Sequence, residues 1–266
     1  MAYLEVQKLD ITFGLGSCDE NHVLRSLSLT CEKGEFITII GSNGAGKSTL
    51  FNSISGAVLP DSGHVRLDNK DITLQKEHFR ARSIGRLFQD PRMGTAGNLT
   101  IEENLALVQG KTSGGFPLSR AVNKTNRAAF KTLLSRLEMG MEDRLSSNVG
   151  TLSGGQRQAL TLLMATLVPP KLLLLDEHTA ALDPVSAKKV LSLTSAITSE
   201  HNITTLMITH NIAQALAMGT RTIMLHEGRV VMDLPEGARR NINIAELLER
   251  YKEAAGGAPI SDRMVF

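Results

Sequence analysis

Short apolar runs recur along the chain and are separated by turn residues, which predicts a series of β-strands. Leu4–Phe13 and Leu27–Cys31 alternate apolar with polar residues, as strands with one buried face do. Further strands are predicted at Phe36–Ile40, Gly63–Leu67, Ile84–Phe88, Leu172–Leu175, Thr204–Ile208, Thr222–His226 and Val230–Asp233. Because strands alternate with helical stretches, the pattern favours a largely parallel sheet with helices on its faces.

Helical periodicity dominates the middle of the chain. Thr100–Val108 opens with a capping box, since Glu103 stands three residues after Thr100. Ser119–Met139 is longer, charged and helical in its period, and a Gly/Ser loop, Lys111–Pro117, lies between the two stretches. The sequence therefore predicts a helical subdomain within an α/β fold.

The domain organisation follows from where this helical stretch interrupts the strands. We predict one domain over residues 1–235, followed by a polar tail with one helix, Ile244–Ala254. The predicted parts are a core of residues 1–90 and 159–235, an inserted helical subdomain of about residues 91–158, and a tail of residues 236–266.

Composition narrows the class of protein. The 266 residues are 42% hydrophobic and 21% charged, which suits a globular chain. The formal net charge is only +2, so the total shows no footprint of nucleic-acid binding. Apolar runs such as Leu172–Leu175 are too short to span a bilayer, so we expect any membrane association to come through a partner.

A phosphate-binding loop is predicted at Gly41–Ser48, which fits G-x-x-x-x-G-K-[ST] between a predicted strand and the predicted helix Ser48–Ala57. Glycines let the backbone approach phosphate oxygens, and backbone N–H groups converge at the start of the helix. Lys47 would then reach the β- and γ-phosphates, and the hydroxyl of Ser48 would ligate Mg²⁺. The alternative, a Gly-rich turn with an exposed lysine, does not explain the strand and helix around it.

Two acids follow the apolar run Leu172–Leu175. Ligands of open α/β sheets bind at the carboxyl ends of the strands, so both acids are expected to face the nucleotide. Asp176 would hold Mg²⁺ through water, and Glu177 would orient or deprotonate the attacking water. Without a phosphate loop, a solvated acidic turn would explain the pair equally well.

Leu152–Gln156 reads Leu-Ser-Gly-Gly-Gln. Ser153 offers a hydroxyl, and Gly154 and Gly155 offer bare backbone N–H groups where a helix begins at Gln156, which is an anion site. Ser153 is also suited to cap that helix.

With these motifs in order, the chain resembles the ATP-binding subunit of an ABC transporter over residues from about 4 to 233. In the terms of that family the motifs are the Walker A loop Gly41–Ser48, the Q-loop glutamine Gln89, the signature Leu152–Gln156, Walker B Leu172–Glu177, the D-loop Ala181–Asp183 and the switch histidine His210. The resemblance implies a P-loop NTPase fold with a RecA-like core, an antiparallel β-subdomain and an inserted helical subdomain.

The resemblance also implies the site and its partners. ATP contacts are expected from Phe13, Gly41, Ser42, Asn43, Gly44, Ala45, Gly46, Lys47, Ser48, Thr49, Gln89, Ser153, Gly154, Gly155, Gln156 and Asp183. Mg²⁺ contacts are expected from Ser48, Gln89 and Asp176, and catalytic roles from Lys47, Glu177 and His210. Two copies, or this chain and a similar subunit, would enclose ATP between one phosphate loop and the other signature. The further partners implied are permease subunits and a solute-binding protein, with no nucleic acid. The ATPase subunit itself would lie at the cytoplasmic face of the membrane.

One residue departs from the family pattern. Most cassettes have proline after the Walker B glutamate, whereas this chain has His178. A neutral substitution is one interpretation, and an effect of His178 on the pH dependence of ATP hydrolysis is another. The stretch Asp176–Thr179 and the tail residues Ser261–Met264 are also similar to a bacterial subgroup of importers for small organic solutes, among them aromatic amino acids.

Other functions share some of these motifs. The ATPase of an exporter or of a lipoprotein-extracting complex would carry all of them, so the direction of transport stays open. Repair ATPases insert a long coiled coil before the signature, and translation factors carry two cassettes in one chain, neither of which fits. A P-loop kinase would need neither Leu152–Gln156 nor His210. We therefore expect the ATPase subunit of an importer of a small solute such as an amino acid.

Overall fold

The computed structural model describes residues 2–112, 123–239 and 242–254. In these residues the strands are β1 (Leu4–Phe13), β2 (Asn21–Cys31), β3 (Phe36–Gly41), β4 (Ser62–Leu67), β5 (Lys70–Asp71), β6 (Ile84–Leu87), β7 (Leu172–Asp176), β8 (Thr204–Ile208), β9 (Arg221–His226) and β10 (Arg229–Leu234). The helices are α1 (Lys47–Ser55), α2 (Glu77–Arg80), α3 (Ile101–Thr112), α4 (Lys124–Ser135), α5 (Gly154–Thr166), α6 (Pro184–Glu200), α7 (Ile212–Ala217), α8 (Glu236–Arg239) and α9 (Ile244–Ala254), with one 3₁₀ turn at Val149–Thr151.

The chain divides into two compact units. The first comprises residues 1–85, 170–177 and 201–266, and the second comprises residues 86–169 and 178–200. The predicted domain boundaries at about residues 91, 158 and 235 stay a prediction.

The first unit is built on two sheets. A six-stranded sheet has the order β10-β9-β3-β8-β7-β6, and β3, β7, β8 and β9 run parallel in it. Every residue of β3 is buried, which explains why its sequence is apolar except at Thr38 instead of alternating with polar residues. A four-stranded antiparallel sheet has the order β2-β1-β4-β5, and β1 shows the alternating burial of a strand with one covered face.

The second unit is helical. Its core is formed by buried side chains from α3, α4, α5 and α6, such as Leu105, Leu134, Leu160 and Val190. The mixed α/β architecture agrees with the fold class predicted for the chain. None of the helices in the described residues is both long and apolar enough to cross a bilayer.

The predicted elements are confirmed closely where the pattern was strong. Leu4–Phe13, Thr204–Ile208 and Ile244–Ala254 have the predicted bounds. Thr100 and Glu103 form the predicted capping box, with Thr100 N donating to Glu103 Oε2 at 2.7 Å and Glu103 N donating to Thr100 Oγ1 at 3.3 Å.

Three boundaries were wrong by more than two residues. The helix predicted at Ser119–Met139 is Lys124–Ser135 within the described residues, because the chain turns at Glu138, whose φ is 51°. Lys111 and Thr112 belong to α3 rather than to a loop. The early part of β2, Asn21–Ser26, was missed because it is largely polar. Residues 113–122 and Ser261–Met264 lie outside the described residues.

Candidate functional site

Three neighbouring strands of the six-stranded sheet end at the candidate site. The phosphate loop follows β3, Glu177 follows β7 and His210 follows β8 by two residues. Since β3 pairs in parallel with β8, and β8 with β7, the carboxyl ends of all three strands lie at the same edge of the sheet. The first unit therefore brings Gly41–Ser48, Asp176, Glu177 and His210 together.

The phosphate loop closes around its own lysine. Lys47 Nζ donates to the carbonyl oxygens of Gly41 at 2.8 Å and Ser42 at 2.9 Å. Gly46 has a φ of 95°, and a Cβ there would lie 2.7 Å from Leu24 Cδ2, so only glycine fits at the start of α1. Asn43, Gly44 and Ser48 are exposed, which leaves the rim of the loop open to an anion.

The charge state of Lys47 is set by opposing effects. Burial is the larger one and lowers the pKa of the ammonium group, while the carboxylates of Glu177 and Asp176 act to raise it. The lysine is thus an ammonium group removed from bulk water beside two acids. A phosphate bound to the loop would give this ammonium group a charge-assisted hydrogen bond, which is stronger than a bond to a neutral acceptor.

Glu177 and His210 form the polar centre of this edge. His210 Nε2 lies 2.5 Å from Glu177 Oε1, and both side chains are mostly buried, with 25% and 11% exposed. Glu177 has a left-handed φ of 45°, and its backbone N–H donates to the Ile208 carbonyl at 3.0 Å, which ties it to the end of β8. A carboxylate and an imidazole in contact can together hold and move the proton of a water molecule.

The segment that carries His210 is held by local hydrogen bonds. Thr209 N donates to the Ile39 carbonyl of β3 at 3.2 Å, and Asn211 N donates to Thr209 Oγ1 at 3.1 Å. Asn211 caps α7 by accepting from Gln214 N at 2.9 Å. These bonds fix His210 between a strand end and a helix start.

The oxygen donors at this edge suit Mg²⁺ held together with a nucleotide. Mg²⁺ is usually bound by one or two carboxylates, water and substrate phosphates rather than by an all-protein cage. Asp176 at the end of β7 and Ser48 in α1 provide such donors, while no group of three or more His, Cys, Asp or Glu side chains in the described part of the chain could hold an ion by itself.

Phe13 is the last residue of β1, and 43% of it is exposed, whereas the other apolar side chains of the strand are buried. An exposed ring at a strand end is available for stacking on a planar base. That Phe13 contacts adenine stays a prediction.

In the second unit the signature segment Leu152–Gln156 and the D-loop Ala181–Asp183 both contact the start of α6. Ser153 caps α5 in a capping box with Gln156, whose backbone N–H donates to Ser153 Oγ at 3.3 Å. Gly155 packs against α6, where an added Cβ would lie 2.6 Å from the Cβ and Oγ of Ser186. Asp183 Oδ1 in turn accepts from Ser186 N at 3.0 Å. Ser153 thus serves as a helix cap, and it is also exposed to a ligand.

Gln89 is exposed, and the residue before it, Phe88, accepts a hydrogen bond from α5, the helix that follows the signature motif. Gln158, which is fully buried in α5, donates from Nε2 to the Phe88 carbonyl at 3.3 Å. Sequence reasoning missed Gln158, because a glutamine after the signature motif does not by itself indicate burial.

His178 is buried in the second unit, and its Nε2 lies 3.2 Å from Thr194 Oγ1 of α6. Burial lowers the pKa of the imidazole to about 4. The ring is therefore uncharged near neutral pH, and we expect no effect of His178 on the pH dependence of hydrolysis in that range.

Comparison with known proteins provides a family match. Residues 24–180 match the family model described as "ABC transporter". The tyrosine transport ATP-binding protein of Clostridioides difficile is 44% identical over 94% of this chain and 99% of its own length. The thiamine import ATP-binding protein ThiQ of Escherichia coli is 34% identical over 79% of this chain and 85% of its own length.

A solved structure shares the fold. The dimeric ATP-binding cassette MJ0796, in a post-hydrolysis state bound to ADP and Pi, is 28% identical, with a TM-score of 0.74 over 88% of this chain and 98% of its own.

Proposed function

The chain belongs to the ABC transporter family and is an ATPase that acts as an ATP-binding subunit, and from this premise we propose that it powers the import of a small organic solute such as an amino acid. The observation that carries the proposal is the 44% identity, over nearly the whole of both chains, with a tyrosine transport ATP-binding protein. The thiamine import relative supports the same direction of transport.

The proposed chemistry is hydrolysis of ATP at the edge of the six-stranded sheet. The loop Gly41–Ser48, with Thr49, binds the phosphates, and Phe13 stacks on adenine. Glu177 takes the proton of the attacking water, and its contact of 2.5 Å with His210 supports a shared role in holding that water. Lys47 and His210 stabilise the charge that develops on the transferred phosphoryl group. Mg²⁺, held by Ser48, Gln89 and Asp176, would neutralise charge on the phosphate oxygens.

The proposed assembly has two such subunits. Ser153, Gly154, Gly155, Gln156 and Asp183 of one subunit complete the phosphate site of the other. The dimer of MJ0796 with ADP and Pi supports an assembly of this kind. Permease subunits and a solute-binding protein are the further partners we propose, with the ATPase at the cytoplasmic face of the membrane.

The assignment of the general base is tested by Glu177→Gln. We expect steady-state hydrolysis to fall at least a hundredfold, while the ATP-bound dimer becomes stable enough to isolate, because removing a general base typically costs about 10²–10⁴ in rate. Phosphate release and gel filtration with ATP measure the two effects.

Glu138→Gln is the matched control. Glu138 also has a left-handed φ, of 51°, but its carboxylate is exposed and pairs with Lys189 in the helical unit. Hydrolysis by Glu138→Gln should equal that of the native protein. Near-native hydrolysis by Glu177→Gln would contradict the assignment of the base.

The transport proposal is tested by uptake in cells from which the chain has been deleted. Uptake of radiolabelled tyrosine or another aromatic amino acid should fall and should return with the native chain but not with Glu177→Gln. Uptake of labelled thiamine is measured in parallel as the competing substrate. Unchanged uptake together with cellular accumulation of a solute would indicate an exporter and would reject the proposal.

A further inference from the structure

We propose that Arg239 is a positioning residue of the ATPase reaction, which holds the helix α7 in place and thereby keeps His210 against Glu177. The inference rests on the proposed role of His210. It assigns a function to the segment after β10, which lies beyond the residues 24–180 that the family model matches.

Arg239 is buried, and its guanidinium group is directed at the carboxyl end of α7. Nη2 lies 2.6 Å from the Ala215 carbonyl oxygen, 2.9 Å from that of Leu216 and 2.8 Å from that of Met218. Nη1 donates to the Gly219 carbonyl at 2.6 Å. The last carbonyl groups of a helix have no partner within the helix. This one side chain binds two of them, at Ala215 and Leu216, and two further carbonyls just beyond the helix.

The chemistry of the group suits that position. A buried cation is costly unless it is hydrogen bonded, and a helix C-terminus carries partial negative charge that a cation stabilises. The planar guanidinium group presents several donors in a fixed fork and can bind several carbonyls at once, whereas a lysine ammonium group cannot match that fork. The arrangement therefore depends on arginine.

The same helix is covered on its side by the C-terminal segment. Ile212 and Ala215 of α7 pack in one cluster with Leu247 and Tyr251 of α9. Tyr251 Oη also lies 3.3 Å from His226 Nδ1 at the end of β9, which anchors α9 to the sheet. Arg239 and α9 thus hold α7 at its end and along its length.

The other end of α7 lies beside the site. The helix begins at Ile212, two residues after His210, and Asn211 is its N-cap. Because α7 is only six residues long, a displacement at its carboxyl end is passed to His210 through fewer than two turns. Misplacement of a catalytic group by about 1 Å can cost up to roughly a hundredfold in rate.

The test is a double-mutant cycle of Arg239→Met and His210→Ala, with kcat and KM for ATP measured by phosphate release, and by single-turnover assays for slow variants. Arg239→Met should lower kcat at least tenfold and leave KM within about twofold, because Gly41–Ser48 is untouched. In the His210→Ala background Arg239→Met should cause no further loss, since its effect passes through His210.

Two variants guard against a folding defect. Arg239→Lys should recover part of the lost kcat. Leu247→Ala loosens α9 but keeps Arg239, and it should lower kcat only when His210 is present. Arg250→Met is the control, because Arg250 is an exposed residue of α9 paired with Glu246, and its kcat should be native.

The outcomes separate the two proposals. If His210→Ala hydrolyses ATP at the native rate, the proposed role of His210 fails. The present inference is overturned if His210→Ala is impaired but Arg239→Met and Leu247→Ala do not change kcat. It is also overturned if they lower kcat by the same factor with and without His210. In either case Arg239 and α9 contribute only stability.

Discussion

His178 lies directly after the candidate general base, and its ring is enclosed by protein rather than directed at solvent. Proline at this position would fix the backbone angle, whereas His178 instead bonds Thr194 within the helical unit. The substitution therefore replaces a backbone constraint by a buried hydrogen bond.

The buried imidazole predicts a dependence of stability on pH. Its pKa is about 4 in the folded protein and about 6.5 when unfolded, so below about pH 6.5 the unfolded state binds a proton that the folded state does not. The free energy of unfolding should therefore fall as the pH decreases from about 6.5 to 4, by about 3 kcal/mol from this residue. In His178→Gln that part of the slope should be missing, as measured by urea unfolding at several pH values.

The control for this measurement is His201→Gln, which removes an exposed histidine and should leave the slope unchanged. Above pH 7 the pH profile of ATP hydrolysis should be the same in His178→Gln and in the native protein. A profile that shifts there would mean that His178 is charged during the reaction.

At the scale of elements, the contact of α5 with α6 joins the signature motif to the D-loop. The absence of a side chain at Gly155 is what allows the contact, because Ser186 occupies the space that a Cβ would need. Two motifs that are distant in sequence are thereby held in one unit.

Gly155→Ala should separate these elements. Its Cβ would lie 2.6 Å from two atoms of Ser186, and such overpacking costs about 1–3 kcal/mol. We expect a lower melting temperature and at least a tenfold loss of ATP hydrolysis. Ser186→Gly in the same chain should restore both, since it removes the two atoms and keeps the backbone N–H that Asp183 accepts.

The stability control is Gly154→Ala, whose Cβ would meet only the end of the Leu182 side chain at 3.3 Å. It should melt near the native temperature. If Ser186→Gly did not rescue Gly155→Ala, steric contact with α6 would not be the reason for glycine at this position.

At the scale of the whole molecule, the proposed sites are shared between subunits. Mixing a Lys47→Ala subunit with a Ser153→Arg subunit should leave one intact composite site, formed by the phosphate loop of one and the signature of the other. We expect an ATP-dependent dimer in the mixture but not with either variant alone, as measured by analytical ultracentrifugation in the Glu177→Gln background. If the mixture stays monomeric with ATP, the shared site is wrong.

Much of the fold could be predicted from sequence because its signals are local. β3, β7 and β8 are short, mainly apolar stretches, as is typical of strands that are covered on both faces. Gly41–Ser48 was recognisable because phosphate binding restricts residue types at fixed spacing. Where the pattern was weak, as in the polar start of β2, the bounds were missed.

The sequence by itself determined most of the elements, the order of the motifs and the family. Only the tertiary structure decided which polar groups are buried and what they bind. It brought His210 into contact with Glu177. It also buried Arg80 and Arg239, whose guanidinium groups donate hydrogen bonds to carbonyl oxygens at the ends of helices. The sequence does not distinguish an arginine that is exposed to water from one that caps a buried helix, because the carbonyls it binds come from distant parts of the chain.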